Sequence, residues 1–118
     1  VTHCSMGIWK EILIPLHEGR KFSYRPFNCH KQEMEKPILV FPKNVTIVEG
    51  SYSCHPVLKK YYDLSVFLDV EAKKQIQRIR LRNGEDGVLM FQERWIPMEN
   101  TYFHSFRIQE KCDLYFKT

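Results

Sequence analysis

The first place in this sequence where chemistry could sit is a carboxylate at the end of an apolar, β-branched run. Thr46-Ile47-Val48-Glu49-Gly50 reads as a buried strand that ends in an acid and turns at a glycine. In open α/β sheets ligands gather beyond the carboxyl ends of the strands. A carboxylate there can hold Mg²⁺ directly or through water, and a glycine lets backbone approach closely. The same residues also read as a capping Glu in a turn before a helix, and spacing alone leaves both readings open.

Lys74, Arg78 and Arg82 recur every fourth residue, so a helix puts them on one face. Basic groups held this way can clamp phosphate oxygens, though a solvated helix face has the same pattern. In Phe22-Ser23-Tyr24-Arg25-Pro26-Phe27, the rings of Tyr24 and Phe27 could stack on a base while Arg25 holds an anion. They could equally fold back as a packed loop. The pairs His3-Cys4, Cys29-His30 and Cys54-His55 lack the spacing of zinc ligands. The four cysteines are widely spread and read as free thiols of a reducing compartment. Asn44-Val45-Thr46 matches a glycosylation acceptor, but it enters a predicted buried strand. No Gly-x-x-x-x-Gly-Lys-Ser/Thr occurs in the 118 residues. Phosphoryl transfer is mostly positioning of phosphates and stabilisation of their charge, so these residues alone are not expected to bind ATP well or to catalyse.

The elements that must position these groups follow from periodicity. Ile8, Trp9, Ile12, Leu13 and Leu16 predict an amphipathic helix over residues 6–17, ended by Gly19. Residues 20–36 are polar and irregular and read as a long excursion, with a short edge strand at 38–41. Residues 45–48 predict a central strand buried on both faces. A short helix at 55–62, a buried strand at 66–68, and a helix from 71 to 82 follow. Residues 83–87 are read as a loop. Phe91, Trp95, Met98, Tyr102 and Phe106 then give a helical apolar stripe with a kink at Pro97, and a last strand covers 112–116. This order predicts an α/β fold with a mostly parallel sheet and flanking helices. Three core strands are few for such a sheet, so the chain is expected to be one partial domain, residues 1–118, of something longer.

Bulk properties agree with a globular chain: 43% hydrophobic, 27% charged, and a net charge of +4 from 18 basic and 14 acidic residues. That excess suits a phosphorylated small ligand and is weak for nucleic acid. No run approaches the roughly 20 apolar residues of a membrane span, and residues 1–9 do not read as a signal peptide. A cytoplasmic location is expected.

The order of motifs resembles the uridine kinase family, especially a bacterial branch of it. The likeness rests on Thr46-Ile47-Val48-Glu49-Gly50-Ser51-Tyr52-Ser53, His55-Pro56 and Tyr62-Asp63-Leu64-Ser65-Val66-Phe67-Leu68. It continues through Gln77-Arg78-Ile79-Arg80-Leu81-Arg82-Asn83-Gly84, Glu93-Arg94-Trp95-Ile96-Pro97-Met98-Glu99-Asn100, Tyr102-Phe103 and Cys112-Asp113-Leu114. It covers about residues 9–116.

The resemblance implies the C-terminal half of a P-loop NTPase-like domain, with the P-loop half lying outside this chain. It implies transfer of the γ-phosphate of ATP, with Mg²⁺, to the 5′-hydroxyl of uridine or cytidine in pyrimidine salvage. Residues 20–36 would be the nucleoside-side segment, with Tyr24, Arg25 and Phe27 as substrate contacts, and residues 71–87 the lid region. Glu49 would sit by the metal, and Arg78 and Arg82 would face the phosphates as catalytic groups. Gln75 stands where relatives often carry a lid arginine, and residues 1–7 match poorly. Cys29 or His30 could stand in for a nucleoside-contacting histidine. Partners on this reading are the nucleoside and ATP, with neither membrane nor nucleic acid, and self-association could cover an exposed sheet edge. A stand-alone nucleoside- or nucleotide-binding module descended from a kinase is the alternative.

Overall fold

The computed structural model describes residues 6–28 and 31–118. The readings of His3-Cys4 and of Cys29-His30 therefore lie outside the described residues. Contacts divide the chain into two units, residues 1–53 and 54–118.

In the first unit, helix α1 (Met6–His17) has the bounds its periodicity predicts, and Leu13 is buried beneath it. Gly19 ends the helix with φ 71°. Its N–H donates to the Leu16 carbonyl at 3.1 Å, and that of Arg20 to Pro15 at 2.9 Å. The pair satisfies carbonyls that the last turn would otherwise leave open, and only glycine takes that backbone without strain. Residues 20–36, expected to be irregular, belong instead to a β-ribbon. Strand β1 (Phe22–Tyr24) pairs antiparallel with β4 (Ile38–Val40), and β2 (Phe27–Asn28) pairs with β3 (Glu33–Met34) inside it. Pro26 and Pro37 flank the gap between the two ladders, where neither can donate an N–H. Strand β1 packs against α1.

The predicted central strand at 45–48 does not form. These residues join no ladder, and Val45 and Ile47 are 77% and 86% exposed. A β-branched run becomes a strand only where another strand takes up its N–H and C=O groups, and none of the described residues does so here.

The second unit begins with a 3₁₀ turn (Pro56–Tyr61), close to the helix expected there. His55 caps it through Nδ1, which accepts the Val57 N–H at 3.2 Å, and Leu58 is wholly buried. Strand β5 (Val66–Asp69) leads into helix α2 (Ala72–Met90), and β6 (Leu114–Lys117) returns parallel to β5. Residues 83–87 are helical rather than a loop, broken only at Gly84 (φ 74°, ψ −176°). A π turn (Phe91–Trp95) joins α2 to α3 (Ile96–Phe106), which is followed by the short α4 (Ile108–Lys111). The Pro97 expectation holds in this form. Proline has no N–H for the bond to Glu93, and the turn before it widens to π geometry. Ile79, Val88 and Ile108 join Leu58 as this unit's buried apolar residues.

Two strands made parallel by a helical crossover are an α/β arrangement, and the molecule mixes helix and strand as expected. The sheet is smaller than anticipated: the described strands form three separate pairs, of which one is parallel. Among the described residues no helix is long and apolar enough to cross a membrane.

Candidate functional site

Because β5 and β6 run in the same direction, their carboxyl ends meet. Asp69 lies opposite Lys117 in the last register position, and Thr118 follows it. Helix α2 starts three residues beyond Asp69, so its first two turns bring side chains back over this end of the pair. The Lys74 Nζ donates to the Thr118 carbonyl at 3.3 Å, and an Arg78 guanidinium nitrogen to the Thr118 hydroxyl at 3.1 Å. Thr118 is held by its N–H and its hydroxyl, which both donate to the Asp69 carbonyl, at 2.8 and 3.0 Å.

The Asp69 carboxylate accepts the Tyr115 hydroxyl and the Val70 N–H. These bonds, with the charge of Lys117, hold its carboxyl below the usual range, and in return Tyr115 is raised by its bond to Asp69. The arrangement therefore offers one ionised acceptor and two cations at a single end of a parallel pair. Lys74 and Arg78 can bind phosphate or carboxylate oxygens, and Asp69 can accept from a hydroxyl.

The spacing of four correctly pairs Lys74 with Arg78. Arg82, one turn further on, does not join them. Its Nε donates to the Asn83 side-chain oxygen at 2.8 Å, and its guanidinium lies 5.9 Å from the Phe91 ring centre. Glu49 is in the first unit, exposed and directly before Gly50, whose carbonyl accepts both the N–H (3.1 Å) and the hydroxyl (2.8 Å) of Ser53. Tyr24 is half-buried on β1 with its ring 6.3 Å from that of Phe22. Arg25 is exposed and donates from Nε to the Glu35 carbonyl across the ribbon at 3.0 Å. Phe27 enters through its backbone, paired with Met34. Tyr24, Arg25 and Phe27 thus share one ribbon, and Lys74 and Arg78 one strand end, while Glu49 belongs to a separate turn.

Asp69, Tyr115 and Thr118 were not singled out from sequence. A signal existed for Asp69, since the strand-end rule applied to Glu49 fits Val66-Phe67-Leu68-Asp69 equally well. Tyr115 and Thr118 carry no such local mark.

Magnesium commonly takes one or two carboxylates and completes its shell with water and phosphate oxygens. Glu49, exposed and next to a turn, fits as one such ligand. Among the described residues no group of three or more His, Cys, Asp and Glu could hold a metal by itself. The triphosphate of ATP is a different case. None of the described helices opens from a glycine-rich loop of the kind that cradles one. No family model matches the chain, and none of the curated proteins matches it.

Proposed function

We propose that these 118 residues are part of an ATP-dependent kinase resembling uridine kinase, one that phosphorylates the 5′-hydroxyl of uridine or cytidine in the cytoplasm. The observation that carries this reading is Lys74 and Arg78 converging at the carboxyl ends of the parallel strands β5 and β6. That is where open α/β sheets take ligands, and two cations there suit a phosphorylated one. The motif order from Thr46-Ile47-Val48-Glu49-Gly50 to Cys112-Asp113-Leu114 adds to it. On this reading the chain belongs to a P-loop NTPase-like domain whose phosphate-binding loop comes from another segment. Arg78 faces the phosphates with Arg82 one turn further along α2, Glu49 holds Mg²⁺ through water, and Tyr24, Arg25 and Phe27 line the nucleoside side. Magnesium, when bound, neutralises phosphate charge as it is transferred.

The test joins a P-loop-bearing half of a uridine kinase ahead of Val1 and measures ATP-dependent phosphorylation across a nucleoside panel. The expected outcome is turnover of uridine or cytidine by the joined protein and none by the 118 residues alone. Arg78→Ala should lower kcat on the order of 100-fold or more, as loss of a charge-stabilising donor does. A well-folded joined protein that phosphorylates nothing in the panel removes the substrate class. Saturable nucleoside binding by the 118 residues alone, with no turnover in either form, would favour the binding module instead.

A further inference from the structure

Two cysteines that the proposed kinase chemistry does not use meet in the second unit. Cys54 precedes its first turn, Cys112 precedes β6, and both are half-buried free thiols. They line one small cavity together with Pro56, Lys59, Tyr62 and Lys111.

The backbone on either side is fixed. Leu58 and Ile108, four residues from Cys54 and Cys112 respectively, are both buried. The Asp113 N–H donates to the Ser65 carbonyl at 3.0 Å, and the Ser65 N–H donates to the Asp113 carboxylate at 2.8 Å. A covalent bond between the sulfurs would join two segments that border the same cavity.

We propose that Cys54 and Cys112 form a reversible disulfide by exchange with a low-molecular-weight disulfide of the glutathione type. The first attack belongs to Cys54. Burial, and after it the neighbouring Cys54, push the Cys112 thiol up to about 11, which makes Cys112 a poor attacking group. Lys59 and Lys111 supply positive charge at the same cavity. The Cys54 thiolate attacks one sulfur of the small disulfide, whose S–S bond breaks, and one small thiolate leaves and takes up a proton. Cys112 then gives up its proton and attacks the Cys54 sulfur of the mixed disulfide, and the second small thiol leaves. Two protein thiols become one S–S bond, and the two electrons and two protons leave in the pair of small thiols. The bond closes a loop around nearly the whole second unit, so the oxidised chain should be the more stable form.

The experiment uses the full chain carrying Cys4→Ser and Cys29→Ser, so that only this pair remains. It is equilibrated in glutathione buffers of rising oxidised fraction, alkylated, digested with trypsin and weighed. The expected product is peptide 44–59 joined to peptide 112–117, fully reversed by excess reduced glutathione, with Tm higher by several degrees in the oxidised form. Adding Cys112→Ser should leave Cys54 as a stable mixed disulfide, whereas adding Cys54→Ser should leave Cys112 largely unmodified. Failure of the peptides to join in oxidised glutathione alone overturns the proposal, as does accumulation of an unresolved mixed disulfide with both cysteines present. Because activity is not read, the result is independent of the kinase proposal.

Discussion

Val45-Thr46-Ile47-Val48 and Val66-Phe67-Leu68-Asp69 are nearly the same kind of segment: four residues, mostly β-branched or apolar, ending at or next to an acid. Only the second is a strand. It lies beside Leu114 to Lys117 along its full length, and its burial alternates. The first joins no ladder and leaves Ile47 exposed. Strand-forming composition is thus a statement about what a segment can do when a neighbour is offered, and the neighbour decides.

The comparison can be broken most forcefully at Leu58, the fully buried residue under the second unit. Leu58→Ala should cost about 2–5 kcal/mol, since a cavity replaces packed methyl groups; chemical denaturation of the 118-residue chain would measure it. Next comes Gly84. Its φ and ψ lie in a region open essentially to glycine alone, and an added Cβ meets no atom within 4 Å. Gly84→Ala should therefore cost about 1–3 kcal/mol through the backbone only, and unchanged stability would mean that the helix straightens there.

A smaller effect concerns Asp113, whose carboxylate accepts the N–H and hydroxyl of Ser65 where β5 and β6 begin. These bonds lower its pKa from the ordinary 3.8. A carboxyl depressed on folding adds stability that is present above the ordinary value and fades as pH falls through the folded one. Thermal melts of Asp113→Asn against the parent should differ at pH 6, and the difference should fade as pH falls through the lowered value; a constant difference would remove the charge from the explanation. The smallest effect is at Ile47. Ile47→Ser should change the stability of this chain by less than about 0.5 kcal/mol, as exposed positions do. In the joined kinase of the proposed function the same change should cost more, because there a neighbouring strand would cover it.

Local signals were legible. The bounds of α1, its Gly19 ending, the turn capped by His55, strands β5 and β6 and the disturbance before Pro97 all follow from spacing within a few residues. What was not legible depended on distance along the chain. The ribbon over 20–40 needs two pairings closed across a turn, and its polar residues hide them. The stretch around Gly84 read as a loop because Asn83-Gly84-Glu85-Asp86-Gly87 has loop composition, yet a single glycine conformation lets the helix resume. At the site, Lys74 and Arg78 could be paired from their spacing of four. Their meeting with Thr118 could not, because it requires knowing that the last strand returns beside β5.

The widened turn at Phe91 to Trp95 sets the phase of everything after it. A π turn takes in roughly one more residue than an α-helical turn, and each residue of a helix advances about 100°. The aromatic series that looks like one stripe in sequence is therefore cut in two, with each half aimed separately. Phe91 and Trp95 face each other edge-on, 4.7 Å apart. Tyr102 and Phe106 pack on His55, and Phe103 on Phe67. Met98, between the two groups, is left in solvent. One irregular turn thus acts as a gearing step, letting a single helical run serve two differently oriented aromatic clusters.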